Sequence, residues 1–393
     1  MTNRPNRLEP RKPGRLTEAL GTKLRRLVIG QDEAIQKILD LYQMYVTGMT
    51  SPGRPIGNVL FLGPTGSGKT RLVEATAECI FGNAAAVVKI NCAEFQHSHE
   101  IAKLIGSPPG YLGHRETPPF LSQEALNRCH TEALKVTLVL FDEIEKASDA
   151  LWNLLLGILD KATLTLGDGR QVDFSKCFIF MTSNLGAAEM QKSVQPSWGF
   201  STAPGSSDCA GAQSAKKLSA IGVAAARNKF TPEFINRLDA MVVFRALGEA
   251  ELRQIVEIEL RRVQERILNS GAALFAFQLT EAALEQVLVD GTDSRYGARH
   301  LRRAIDRLLV QPISNLLATE QVRRGDCLRI DSDPESREMV FLLQAENLSP
   351  LALARLAQTP VLPFRTRAAA VPNRSQAARI AGHANSGVES QAA

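Results

Sequence analysis

Paired cysteines are missing from this chain. Its six cysteines, Cys79, Cys92, Cys129, Cys177, Cys209 and Cys327, are scattered, and no C-x-x-C spacing occurs. That excludes a disulfide frame or a zinc site and predicts free thiols in a reducing compartment. No apolar run approaches the roughly 20 residues of a membrane-spanning helix, and the N-terminus is polar, so a cytoplasmic protein without membrane contact is expected. No internal repeat and no recognisable nucleic-acid-binding module is visible. Basic residues do gather at both ends, Arg4, Arg7, Arg11, Lys12 and Arg15 at the start and Arg355, Arg365, Arg367, Arg374 and Arg379 at the end. Such tails are ordinarily solvated, so nucleic acid is not the expected partner despite a net charge of +5.

With 393 residues, 44% of them hydrophobic, the chain can bury a large core, and two domains plus tails are expected. Its organising stretch is Gly63-Pro64-Thr65-Gly66-Ser67-Gly68-Lys69-Thr70, which fits the phosphate-loop pattern G-x-x-x-x-G-K-[ST]. Val59 to Leu62 before it reads as a buried strand, and Arg71 to about Phe81 after it as a helix. In that setting glycines let backbone N–H groups turn toward a polyphosphate, and the helix N-terminus adds partial positive charge. Lys69 can reach the outer phosphates and the Thr70 hydroxyl can ligate Mg²⁺. A plain glycine-rich turn is the competing account, and the strand and helix on either side disfavour it.

Further along, Val136 to Phe141 reads as a strand ending in Asp142-Glu143. Beside a phosphate loop, Asp142 suits Mg²⁺ and Glu143 suits a general base. Another strand, Phe178 to Met181, ends in Thr182-Ser183-Asn184, whose amide can meet a γ-phosphate or the attacking water. Ile29 beside Gly30 suits either contact with a flat base or a simple helix break between residues 17 and 48. Tyr111 and Leu112 sit between glycines in a turn-rich loop; they either meet a partner or fold back. Strands are also expected at Val87–Ile90 and Met241–Phe244, and residues 189–228 as mostly loop. A helical subdomain with Leu252, Val256, Leu260, Val263 and Ile267 at helical spacing follows, closed by a hairpin at Cys327–Ile330 and Met339–Leu342. The expected divisions are a disordered basic tail 1–20, a large α/β domain 21–246, a small helical domain 247–345 and a disordered tail 346–393.

These stretches together resemble the Clp-type AAA+ unfoldases, above all the second ATPase module of ClpB, ClpC and ClpA. The carriers are Val28-Ile29-Gly30-Gln31, Phe61 to Gly66, Gly110-Tyr111-Leu112-Gly113, Phe141 to Lys146, Met181 to Gly186, Pro232 to Arg237 and Tyr296-Gly297-Ala298-Arg299. The resemblance implies a parallel five-stranded P-loop module with a helical lid, and ATP and Mg²⁺ as cofactors. It implies Ile29 at the adenine, Asp142 and Glu143 as the Walker B pair, Asn184 as first sensor, Arg299 as second sensor, and Arg237 as an arginine finger acting in trans. It further implies Tyr111 as the pore aromatic gripping unfolded or aggregated polypeptide, in a ring that is usually a hexamer. The expected function is an ATP-dependent protein unfoldase. The alternatives are a regulatory subunit of a ClpP-like protease, docked through Trp198-Gly199-Phe200, and an AAA+ ATPase acting on nucleic acid. Only one ATPase module is present in the sequence, and His114 to Pro119 replaces the acidic and glycine residues that usually follow the pore motif.

Overall fold

A computed structural model describes residues 9, 12–107, 118–132, 134–194, 207–269, 274–292 and 298–362. Tyr111 and Leu112, Trp198 to Phe200, and Tyr296 and Gly297 lie outside the described residues.

Gly30, at φ 77°, sits in the left-handed region that glycine enters without penalty. It separates α1 (Arg15–Leu27) from α2 (Asp32–Val46), so the helix does break where the sequence suggested. The buried strand β1 (Gly57–Leu62) runs into the phosphate loop, followed by α3 (Lys69–Phe81) and β2 (Val88–Asn91). Two short helices, α4 (Ala102–Ile105) and α5 (Gln123–Asn127), lead to β3 (Thr137–Asp142). Then come α6 (Asp149–Lys161), the hairpin strands β4 (Thr163–Thr165) and β5 (Gln171–Asp173), and β6 (Cys177–Ser183). α7 (Ala187–Val194), α8 (Ser207–Lys229), α9 (Pro232–Ile235) and β7 (Ala240–Val243) complete the large domain.

Its sheet has five strands in the order β2-β3-β6-β1-β7, all parallel. Parallel strands with helices on both faces are buried on both sides, which explains the continuous apolar runs. Alternate residues feed separate cores: Leu60, Leu62, Val139 and Phe141 join α6 and Phe234, while Val59, Phe61, Leu138 and Phe180 join α1, α2 and α3. Phe61 stacks on Phe180 at 5.6 Å and meets Phe244 edge-on at 5.1 Å. Each such fully buried ring contributes about 1.5–3 kcal/mol. The register sets the functional edge. Leu62 lies beside Ser183, and Phe141 beside Met181, so Gly63, Asp142 and Asn184 emerge together at the C-terminal ends of neighbouring strands, where open α/β sheets place ligands.

The second domain holds α10 (Glu249–Asn269), β8 (Ala276–Leu279), α11 (Glu281–Gly291) and α12 (Ala298–Ile305). A π turn over Asp306–Val310 joins α12 to α13 (Gln311–Ala318), followed by β9 (Cys327–Ser332), β10 (Met339–Ala345) and α14 (Pro350–Ala357). Leu252, Val256, Leu260 and Val263 are buried as their spacing demands. The expected hairpin is the antiparallel pair β9 and β10, to which β8 adds a parallel third strand.

Three expectations are corrected. Residues 207–229 are helical in α8, not loop: they carry seven alanines between Ala210 and Ala226, and alanine has the strongest helix propensity while leaving almost no apolar stripe to detect. The C-terminal tail does not begin at 346. Ser349 caps α14, Leu353 is buried, and Val361 bridges Leu279. At the other end α1 starts at Arg15, inside the basic tail expected to reach residue 20. Among the described residues no helix is long and apolar enough to cross a membrane.

Candidate nucleotide site

Gly63 leaves β1 at φ 145°. A Cβ there would stand 2.6 Å from the Phe244 carbonyl oxygen, so only glycine lets the loop turn against β7. Gly66 and Gly68 follow at φ 77° and 98°, and α3 opens directly on Lys69 with the unpaired N–H groups of its first turn. Gly63→Ala is therefore expected to lower stability by about 1–3 kcal/mol through backbone strain, read as a fall in the thermal midpoint. An unchanged midpoint would contradict this account of the loop.

Lys69 is buried. Its Nζ donates to the carbonyls of Gly63 at 2.7 Å and Pro64 at 2.9 Å and to Asn184 Oδ1 at 2.9 Å. Burial pulls its pKa from 10.5 down to about 8, opposed by Glu145, Asp142 and Glu143. Thr70 Oγ1 donates to Asp142 Oδ1 at 3.2 Å. Asp142 also accepts from the Thr182 hydroxyl and has Lys89 Nζ at 3.4 Å. Glu143 takes φ 58° at the strand end; its N–H donates to Thr182 Oγ1 at 3.1 Å, and its carboxylate accepts from Lys146 at 2.6 Å. The Asn184 main-chain N–H donates to Glu145 at 3.2 Å, while its side-chain oxygen is the one that meets Lys69.

The loop is clasped from behind by buried Gln31. Its amide donates to the Ser67 carbonyl at 3.1 Å and the Arg245 carbonyl at 3.0 Å, and its oxygen accepts from the Arg245 N–H at 3.3 Å. Ser67 Oγ donates to the Pro64 carbonyl at 2.8 Å, and Thr65 Oγ1 lies 3.5 Å from Asn184 Oδ1. The lid closes the other side: the Ala298 N–H donates to the Gly66 carbonyl at 3.3 Å.

Between the two domains lies a cavity of about 360 Å³. Ile29, the loop from Thr65 to Thr70, Asp142, Glu143, Asn184 and Arg299 all line it. Val28, Leu247, Ile255 and Ile258 give it apolar lining suited to a base, and Lys69 and Arg299 cationic lining suited to phosphates. A nucleoside triphosphate fits: the loop glycines leave the space, and the Lys69 ammonium is presented on acceptors that an anion can replace. Thr70 and Asp142, hard oxygen donors already within hydrogen-bond distance, suit Mg²⁺.

Arg237 is not brought into this cavity. It lies just past α9, whose N-cap is Thr231, and pairs with Glu233 at 2.9 Å and Asp160 at 3.9 Å. Sequence reasoning gave no role to Gln31 or Thr182, although both lie within motifs it singled out. Lys89 was missed too; its signal was a lone charge inside an apolar strand. The described cysteines Cys79, Cys92, Cys129, Cys177 and Cys327 are free, and burial pushes Cys177 up to about 12, far from thiolate reactivity.

Two family descriptions match the chain: "AAA domain (Cdc48 subfamily)" over residues 54–241 and "C-terminal, D2-small domain, of ClpB protein" over residues 247–330. A chloroplastic ClpA homolog described as the ATP-binding subunit of the ATP-dependent Clp protease, from Brassica napus, is 38% identical over 81% of this chain and 35% of its own length. The chaperone protein ClpB of Rhodopirellula baltica is 35% identical over 79% of this chain and 32% of its own. A cryo-EM reconstruction of closed-state Hsp104 with ATPγS and FITC-casein superposes with a TM-score of 0.66 at 26% identity, covering 83% of this chain and 51% of that one. The chain thus spans about a third of the length of the curated relatives it matches. With both halves of the cavity matched, the α/β module and the lid that closes it, the chain belongs to the Clp-type AAA+ ATPases.

Proposed function

We propose that the chain is an ATP-hydrolysing protein unfoldase that works as a ring, with a hexamer as the expected form. The observation that carries the ATPase half is the convergence of Lys69, Thr70, Asp142, Glu143 and Asn184 on one cavity roofed by Arg299. Lys69 would bind the outer phosphates, exchanging the Asn184 oxygen for phosphate oxygen. Thr70 and Asp142 would hold Mg²⁺, which supplies charge neutralisation on the phosphate chain. Glu143 would release Lys146 and take a proton from the attacking water, as the water oxygen bonds to the terminal phosphorus and ADP leaves. Asn184, held by Glu145, would orient that water. Ile29 would contact the adenine, and Arg299 would carry the state of the phosphates to the lid. The direct test is phosphate release by the wild type and by Lys69→Ala, in which nucleotide binding itself is expected to fail.

The remodelling half rests on family membership and on Tyr111 and Leu112 in their glycine-flanked loop. Tyr111→Ala should leave basal ATP turnover within about twofold while unfolding of a tagged protein collapses, because the aromatic anchor proposed to grip the polypeptide is lost. Surviving unfolding would show that Tyr111 packs on its own domain. A ClpP-like protease is the second partner we consider: Trp198-Gly199-Phe200 resembles the docking tip of protease-bound relatives, but its indole is oversized for a pocket built for an aliphatic residue. We therefore propose weak docking at most. The scattered free thiols support a reducing compartment, and the cytoplasm is the one we propose.

A further inference from the structure

Arg302 stands one helical turn beyond Arg299 on α12 and lines the same cavity, yet no motif marks it. Its Nε and one terminal nitrogen donate to the two carboxylate oxygens of Glu259 on α10, at 3.2 and 3.1 Å. The Glu259 side chain is 17% exposed, that of Arg302 62%. Glu259 has a second partner, Arg262, which donates to it at 2.8 Å. Arg262 in turn lies 3.7 Å from Glu78 on α3, and Glu78 accepts from Arg71 at 2.9 Å. Acid and base therefore alternate from the helix behind the phosphate loop into the lid.

We propose that Arg302 is a second phosphate-binding arginine of the lid, held on Glu259 until nucleotide arrives and then exchanged from carboxylate to phosphate. The inference rests on the reading of this cavity as an ATP site. Three features favour exchange over a fixed ion pair. A guanidinium binds phosphate with the same two-pronged geometry it uses on a carboxylate. Arg302 is largely exposed, so its side chain has room to swing, whereas Glu259 does not. And Glu259 is not orphaned when Arg302 leaves, because Arg262 stays on it; losing its only partner would cost the full penalty of a half-buried charge. The Arg262–Glu78 contact meanwhile keeps α10 beside α3 during the exchange.

The test is titration of the full chain with a fluorescently labelled ATP in Mg²⁺. Arg302→Gln should weaken binding by about tenfold or more, the loss of one charge-assisted pair. Glu259→Gln should have the opposite sign, tightening binding by roughly two- to tenfold because the competing anion is gone. In the Arg302→Gln background the Glu259→Gln effect should shrink to less than about twofold, since the two residues act on one exchange. A fixed ion pair predicts that both single variants weaken binding or that both are silent, and either result overturns the proposal. So does a tightening by Glu259→Gln that persists undiminished without Arg302, which would be plain charge removal. Lys69→Ala separates the two levels: if it leaves affinity unchanged, the ATP reading of the cavity fails and the exchange with it. If Lys69→Ala abolishes binding while the Arg302 and Glu259 variants are silent, only the exchange fails. Thermal melts confirm folding, which substitution at a mostly exposed arginine does not threaten.

Discussion

Glu143→Gln should cut ATP turnover by about 10²–10⁴-fold, the contribution of a general base, while nucleotide still binds. The amide keeps the shape of the carboxylate but cannot accept the proton of the attacking water. Lys69, Thr70 and Asp142, which hold the phosphates and Mg²⁺ in this account, are untouched by the change. Glu143 follows the C-terminal end of β3 with a left-handed backbone at φ 58° and lines the cavity, which is the placement our proposal uses. Its carboxylate is paired with Lys146, a partner that in our proposal gives way as the proton is taken. Steady-state phosphate release and nucleotide titration, run on the same preparation, check both halves. Turnover near the wild-type rate would move the base elsewhere; Glu145, bonded to the Asn184 N–H, would be the next residue to replace.

The second large effect lies outside the cavity. Arg237→Ala should lower hydrolysis by about 10³–10⁵-fold, the range of arginine fingers, although Arg237 touches nothing in its own phosphate loop. Its guanidinium is held by Glu233 and Asp160 just past α9, with 23% of its side chain exposed, and we propose that a neighbouring ring subunit meets it there. Neither Arg237→Ala nor Lys69→Ala rings should turn over ATP alone. Mixed rings should recover some activity, because an intact finger can face an intact phosphate loop. Mixed rings that form and show no recovery would make Arg237 a residue of its own subunit's fold.

How far the chain could be read in advance depended on whether a feature was local. The phosphate loop and the Asp142-Glu143 strand end were legible because each packs its chemistry into consecutive residues beside an apolar run. That the sheet is parallel and five-stranded followed from family resemblance; its order, β2-β3-β6-β1-β7, was not legible, since pairing between distant strands leaves no local mark. α8 was not legible: its alanine-rich stretch has propensity without periodicity. β8 was missed because Ala276–Leu279 is too short a run to separate from the helices around it. At the site, Gln31 was invisible as a clasp because its partners Ser67 and Arg245 lie 36 and 214 residues away. The ion-pair chain from Arg71 to Arg302 joins residues of α3, α10 and α12 that are far apart in sequence, and a single link, Arg262 to Glu78, crosses between the domains.

The central claim is that ATP turnover at this cavity drives the unfolding of protein. The most direct measurement follows the fluorescence of a stably folded fluorescent protein bearing an unfolded tail, mixed with the chain and ATP, beside the same mixture with Glu143→Gln. The account predicts steady loss of fluorescence with ATP in the wild type, none without ATP, and none in the variant although it binds nucleotide. Unchanged fluorescence while the wild type hydrolyses ATP, with hydrolysis stimulated by DNA and not by the tailed protein, would contradict it and make the chain a nucleic-acid motor.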